Sequence, residues 1–200
     1  MIKHARTDHP VHDLIAQRWS PTGFADRMVP DDDLRALFEA ARWAPSSYNE
    51  QPWSYFIATK ADADSHAAML SCLVEGNQAW ARSAPVLTLA VVTNTLARNG
   101  KPNRTASHDL GLATGNLLAE ATARGLHVHQ MAGILRDRAR ELYAIPADRE
   151  AWVGLAIGYA AAPDTLDEPY RTKDQTPRDR KPISAFVFGG TWGEAADLVK

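Results

Sequence analysis

Residues 45–52 read Pro45-Ser46-Ser47-Tyr48-Asn49-Glu50-Gln51-Pro52. A helix-to-strand connection needs only a few turn residues, and this one is crowded with hydrogen-bonding side chains. Asn and Gln each offer a donor and an acceptor, and serine does both with one hydroxyl. Such a set suits a flat heterocycle whose edge alternates carbonyls and ring nitrogens. A polar loop whose serines bond local backbone accounts for the same residues at least as well.

Two further clusters carry charge. In "QRWSPTGF" (17–24), Arg18 gives a forked donor and Ser20 a hydroxyl, which together suit a phosphate. A solvated cation at a helix end is the plain alternative. In "RTKDQTPRDRKP", Arg171, Lys173, Arg178, Arg180 and Lys181 stand close together in a chain of net charge −2. A solvated basic tail is again the plain alternative. The three clusters describe a phosphorylated, planar, polar-edged ligand only if the fold brings them together. His127 and His129 share one face of a strand and could ligate a metal. No carboxylate pattern accompanies them, so a packed or hydrogen-bonded pair is the better reading, and no metal site is expected. Cys72 falls in a helix, where it reads as a small core residue. The glycine fingerprints of dinucleotide folds and P-loops are absent, as is the nucleophile elbow of the hydrolases.

The elements that must position these groups follow from periodicity. "DDDLRALFEAARWA" places Leu34, Leu37, Phe38, Ala41 and Ala44 on one helical face. Its three leading aspartates sit where the helix dipole favours negative charge, and Pro45 ends it. "WSYFIAT", "APVLTLAVVT", "LHVHQM" and "AWVGLAIGYA" read as strands, the second and fourth buried on both faces. Helices are expected over 11–18, 62–73, 106–123 and through "ILRDRARELYAI". The 106–123 helix is apolar or small on nearly every side, with Gly125 as its cap. Such a helix is buried all round, which a subunit interface explains better than a central position in one small domain. Strands and helices mix along the whole length, so residues 1–200 are expected to form a single α+β domain. With 45% hydrophobic and 23% charged residues the composition is globular. One cysteine excludes an intramolecular disulfide framework and fits a reducing compartment. No run reaches the roughly 20 apolar residues of a membrane helix, and the first residues are too polar for a secretion signal. A cytoplasmic protein is expected, with neither nucleic acid nor membrane as a partner.

Taken together, "RWSPTGF", "DDDLRALFEAARWAPSSYNEQPWSYFIA", "EGNQAWARSAPVLTLAV", "DLGLATGNLLAEATARGL", "QMAGI", "WVGLAIGYA" and "RDRKP" resemble the nitroreductase family of FMN-dependent oxidoreductases, in family order and over nearly the whole chain. The resemblance implies a mixed β-sheet of four or five strands flanked by helices, in an intertwined homodimer with FMN at the subunit interface. It makes "ISAFVFGG" a strand that joins the partner's sheet. It implies cofactor contacts from Arg18, Trp19, Ser20 and Thr22, and from Pro45, Ser46, Ser47, Asn49 and Gln51 around the ring system and ribityl chain. Asn77 would bond the pyrimidine edge, and Met131, Ala132 and Gly133 would approach N5. Arg178 and Arg180 would grip the phosphate, and Tyr48 and Trp80 would line the substrate pocket. Three positions depart from the family pattern. Thr22 and Trp80 stand where relatives carry basic residues, and Ala132 where many carry an acidic one.

The activity so implied is ping-pong. NAD(P)H passes a hydride to flavin N5, and the reduced flavin then gives two electrons to a nitroaromatic, a quinone or a similar electron-poor acceptor. The departures keep a second class open: a flavin-binding or storage protein, or a specialised flavin dehydrogenase, with slow NAD(P)H turnover.

Overall fold

The computed structural model describes residues 3–200. Four strands, β1 (Trp53–Thr59), β2 (Val86–Thr93), β3 (His127–Met131) and β4 (Arg149–Gly158), form one sheet in the order β1-β2-β4-β3. The α+β class is as expected, with helices on both faces of the sheet. Within the chain, however, every pairing is antiparallel, so the mixed character expected of the sheet is not found among the described residues. β2 is buried along nearly its whole length, as its unbroken apolar run predicts. Its residues alternate between two cores. Leu87, Leu89 and Val91 face α3 (Ala63–Leu70), α4 (Glu75–Ala81) and α6 (Arg136–Tyr143). Val86 and its neighbours on β4, Leu155 and Ile157, face α2 (Asp31–Arg42) and α5 (Ala106–Ala123). Two short helices complete the described chain, α1 (Asp13–Gln17) and α7 (Tyr170–Gln175).

α2 follows its sequence signals. Leu34, Leu37 and Ala41 are buried along one stripe, and the three aspartates occupy the first turn. α5 ends as expected, with Gly125 at φ +70° just past its last turn. Its burial differs from the all-round apolar reading. Leu110, Ala113, Leu117 and Ala121 are buried, but His108, Gly111, Leu112 and Gly115 are exposed. Those four share one face by their three- and four-residue spacing. Nothing lies within 4 Å of where a Cβ on Gly111 or Gly115 would stand. One flank of this apolar helix is therefore uncovered in a single chain.

"ISAFVFGG" is not a strand here. Residues 183–185 form a 3-10 turn, and only Phe188 makes a bridge, antiparallel to Ala195 in a glycine-rich hairpin. The segment's C-terminal half pairs only with the return of that hairpin, through Ala196 N–H to Val187 O and Gly189 N–H to Glu194 O, both at 3.1 Å, and not with the four-stranded sheet.

Candidate functional site

Two of the three clusters do meet. Arg18, just past α1, donates from Nη1 to Ser20 Oγ at 3.2 Å. Arg178, 160 residues later, donates to the backbone carbonyls of Arg18 and Ala16. Arg180 is close enough to act on both: burial first, then neighbouring guanidiniums, lowers the pKa of Arg18 and of Arg178. Among the described residues none of the three has an ion-pair partner, and the buried Nε of Arg178 has no acceptor. They line a cleft of about 1200 Å³ together with Arg6 and Lys181. Asp8 and Asp179 also line the cleft but form no ion pair with these guanidiniums, so the gathered like charges raise the energy of the empty site and fit a di-anion such as a phosphate monoester. The residues present thus fit the phosphate of FMN.

Thr22 and Trp19 do not join that cluster. The backbone N–H of Thr22 donates to both carboxylate oxygens of Asp174 at 2.9 and 3.0 Å, and its hydroxyl donates at 2.7 Å. Gly23 N–H adds a bond of 3.3 Å. Thr22, expected to contact the cofactor at a position where relatives carry a basic residue, is instead spent on a buried carboxylate. Asp174 was missed by sequence reasoning, since nothing local marks a partner 152 residues away. Trp19 is a core residue at 4% exposure, its ring edge-on to His127 at 5.4 Å. Trp80 is also buried, at 5%, and lies stacked on His129 at 4.3 Å. It belongs to the core rather than to a substrate pocket.

The two histidines are a packed pair, as read from the sequence. His129 Nδ1 lies 2.7 Å from the carbonyl oxygen of Pro21. That oxygen can only accept, so Nδ1 carries the proton. No cluster of three metal-ligating side chains exists among the described residues. Burial lowers the pKa of His129, and lowers that of His127 from 6.5 to about 4. Both rings are neutral in the fold, whereas in the unfolded chain they gain protons below about pH 6.5. Stability from His127 is thus complete above that value and is lost as pH falls towards 4, by at most about 3 kcal/mol. Urea midpoints at pH 7.5, 5.5 and 4.5 should drop in that order. The drop should be smaller in His127→Gln; an equal drop would show that other groups cause it.

The 45–52 loop is held from two sides. Asp109, in the first turn of α5, accepts from Ser47 N–H at 3.1 Å. Glu50 accepts from Ala97 N–H at 2.9 Å. Inside the loop, Gln51 N–H donates to Ser46 Oγ at 3.0 Å. Tyr48, Asn49 and Gln51 all have positive φ, between 48° and 56°, a conformation that costs non-glycine residues roughly 1–3 kcal/mol each. Pro45, Tyr48, Asn49 and Gln51 are exposed. Three strained, exposed polar residues in a loop braced at both ends make a preorganised surface, beyond what capping α2 requires.

Asn77, on α4, meets the segment after β3. Its Nδ2 donates to the Gly133 carbonyl at 2.9 Å, and Val74 N–H donates to the same oxygen at 3.1 Å. A Cβ on Gly133 would stand 2.6 Å from Asn77 Nδ2, so glycine is what allows this approach. Ala132 is exposed and Met131 buried. Within one chain this group does not meet the 45–52 loop. The loop precedes β1 and residues 132–133 follow β3, and those are the two edge strands. Three inter-strand spacings, roughly 14 Å, separate them, and among the described residues no hydrogen bond joins the two groups.

A family model described as the nitroreductase family matches residues 15–159. An uncharacterised 15.4 kDa protein of Mycolicibacterium smegmatis is 32% identical over 139 residues, covering 68% of this chain and 90% of the relative. A putative NADH dehydrogenase/NAD(P)H nitroreductase of Archaeoglobus fulgidus is 26% identical over 172 residues, covering 84% of this chain and 93% of the relative. The crystal structure of an oxidoreductase containing FMN aligns with a TM-score of 0.88 at 33% identity, covering 94% of this chain and 96% of that one.

Proposed function

The chain belongs to the nitroreductase family, and from that premise we propose that it is a cytoplasmic, homodimeric, FMN-dependent enzyme that takes reducing equivalents from NAD(P)H and reduces nitroaromatics, quinones or similar acceptors by ping-pong turnover. That it is an oxidoreductase follows from the family and from relatives named as NAD(P)H nitroreductases. The observation that carries the cofactor is the unpaired guanidinium cluster of Arg18, Arg178 and Arg180. FMN, when bound, supplies the hydride-accepting ring, and the protein supplies binding and orientation. Arg18, Ser20, Arg178 and Arg180 would hold the phosphate. Asn77 keeps its amide oxygen free for a ring edge while its Nδ2 fixes the Gly133 carbonyl. Ser46, Ser47, Asn49 and Gln51 offer donors and acceptors to a second edge, over Pro45.

The two halves of the site lie off opposite sheet edges of one chain, so a complete site calls for a second copy. The open flank of α5, with Gly111 and Gly115 bare, is the surface on which it would pack. The same dimer would offer "ISAFVFGG" the strand partner that it lacks in a single chain.

An absorption spectrum of the purified protein tests this reading, followed by anaerobic addition of NADPH and then NADH. Oxidised-flavin bands should bleach within seconds and return on addition of a quinone, and light scattering should give twice the chain mass of 21.9 kDa. Bands that persist under both nucleotides would point to a flavin-binding role without this donor. A colourless protein that FMN cannot reconstitute would overturn the proposal.

A further inference from the structure

Beside the 45–52 loop stands a small hairpin. Thr95 bridges Pro102, Leu96 N–H donates to Lys101 O at 2.8 Å, and Gly100 turns the tip at φ +68°. Its base is tied down by Asn94 N–H to Asp148 O at 2.9 Å, and its flank by the bond from Ala97 to Glu50. The projection is therefore braced against the very loop that we assign to the cofactor. At its tip the Arg98 guanidinium lies over the ring of Tyr48, 4.2 Å from the centroid. Tyr48 is 75% exposed and is held at φ +53°.

An exposed aromatic on strained backbone packs no core. Its effect here is to present a flat cation: a guanidinium stacked on a ring keeps its N–H edge directed outward. Arg98, Lys101 and Arg104 are all exposed, and among the described residues none pairs with a carboxylate. This is a second group of uncompensated cations, built on other elements than the Arg18 cluster. The chain has no glycine-rich phosphate fingerprint that would otherwise hold a dinucleotide.

We propose that Arg98, seated on Tyr48, recognises the phosphates of the nicotinamide dinucleotide donor, with Lys101 and Arg104 adding to the attraction. The inference rests on the 45–52 loop being the redox pocket, and its test does not need the flavin. NADP⁺ and NAD⁺ are titrated calorimetrically into the purified protein and into Arg98→Gln, Arg98→Lys and the distant charge control Arg35→Gln. Arg98→Gln should weaken NADP⁺ binding roughly tenfold or more, the loss of a charge-assisted contact. Arg98→Lys, which keeps the charge without the stacked fork, should fall between. Arg35→Gln should match wild type. A loss confined to NADP⁺ places Arg98 on the 2′-phosphate, and an equal loss for NAD⁺ places it on the pyrophosphate; either supports the proposal. Unchanged affinity for both nucleotides in Arg98→Gln overturns it. Flavin content, read from absorbance of the same samples, reports separately on the cofactor reading.

Discussion

Arg18→Ala should weaken FMN binding roughly ten- to a hundredfold, the worth of a charge-assisted pair of hydrogen bonds to phosphate. Arg18 is half-buried, its geometry is set by Ser20 at 3.2 Å, and among the described residues it has no ion-pair partner. The bonds from Arg178 go to the backbone carbonyls of Ala16 and Arg18, so they survive the substitution. The ligand-free protein should respond with the opposite sign or not at all. Removing one of three clustered cations relieves repulsion that burial has sharpened. Weaker cofactor binding at equal or greater apo stability is thus the signature of an anion site, and a purely structural arginine would lose both. Fluorescence quenching of FMN titrated into the apoprotein reads the first quantity, and urea unfolding reads the second. The loss should shrink as salt rises, because salt screens the Arg18–phosphate attraction that the substitution deletes. Wild-type affinity in Arg18→Ala would remove the phosphate from this cleft.

Much of this arrangement is written locally. The stripe of α2, the apolar runs of β2 and β4 and the glycine after α5 each report their own burial or ending, because the period of a helix or strand is a local property. Arg18 and Ser20 likewise read as a pair because a single residue separates them. What is not local was not legible. Asp174 looks like one more charge in a basic tail until the fold sets it beneath Thr22. Trp80 reads as a pocket wall when a position is carried over from relatives, yet a tryptophan next to His129 gains more by stacking in the core. "ISAFVFGG" reads as a strand only through the family resemblance, and a strand also needs a free edge, which the sequence does not assign to either chain. α5 is the converse: its composition marks it apolar or small on nearly every side, and one chain covers only one of its faces.

Asp174→Ala should be the most damaging single change to the fold, at about 3–5 kcal/mol. The carboxylate is 2% exposed and accepts from Thr22 N, Thr22 Oγ1 and Gly23 N. Thr22 is itself 2% exposed, so truncation strands three buried donors, each costing roughly 1–3 kcal/mol. Relief from no longer burying a charge offsets part of that sum, which keeps the total below simple addition. Thr22→Val removes one of the three donors and should cost about 1–2 kcal/mol. The double variant should fall well short of the summed losses, because both changes break one network. Asp174 lies on α7, four residues before Arg178, and Thr22 lies four residues after Arg18. The clamp therefore joins the two segments that carry the guanidinium cluster. Asp174→Ala should then weaken FMN binding without touching the phosphate, and saturating FMN should restore part of the lost stability by mass action. Urea midpoints with and without FMN decide it. A loss below about 1 kcal/mol would show that water readily replaces the carboxylate and that the two segments are held together by other contacts.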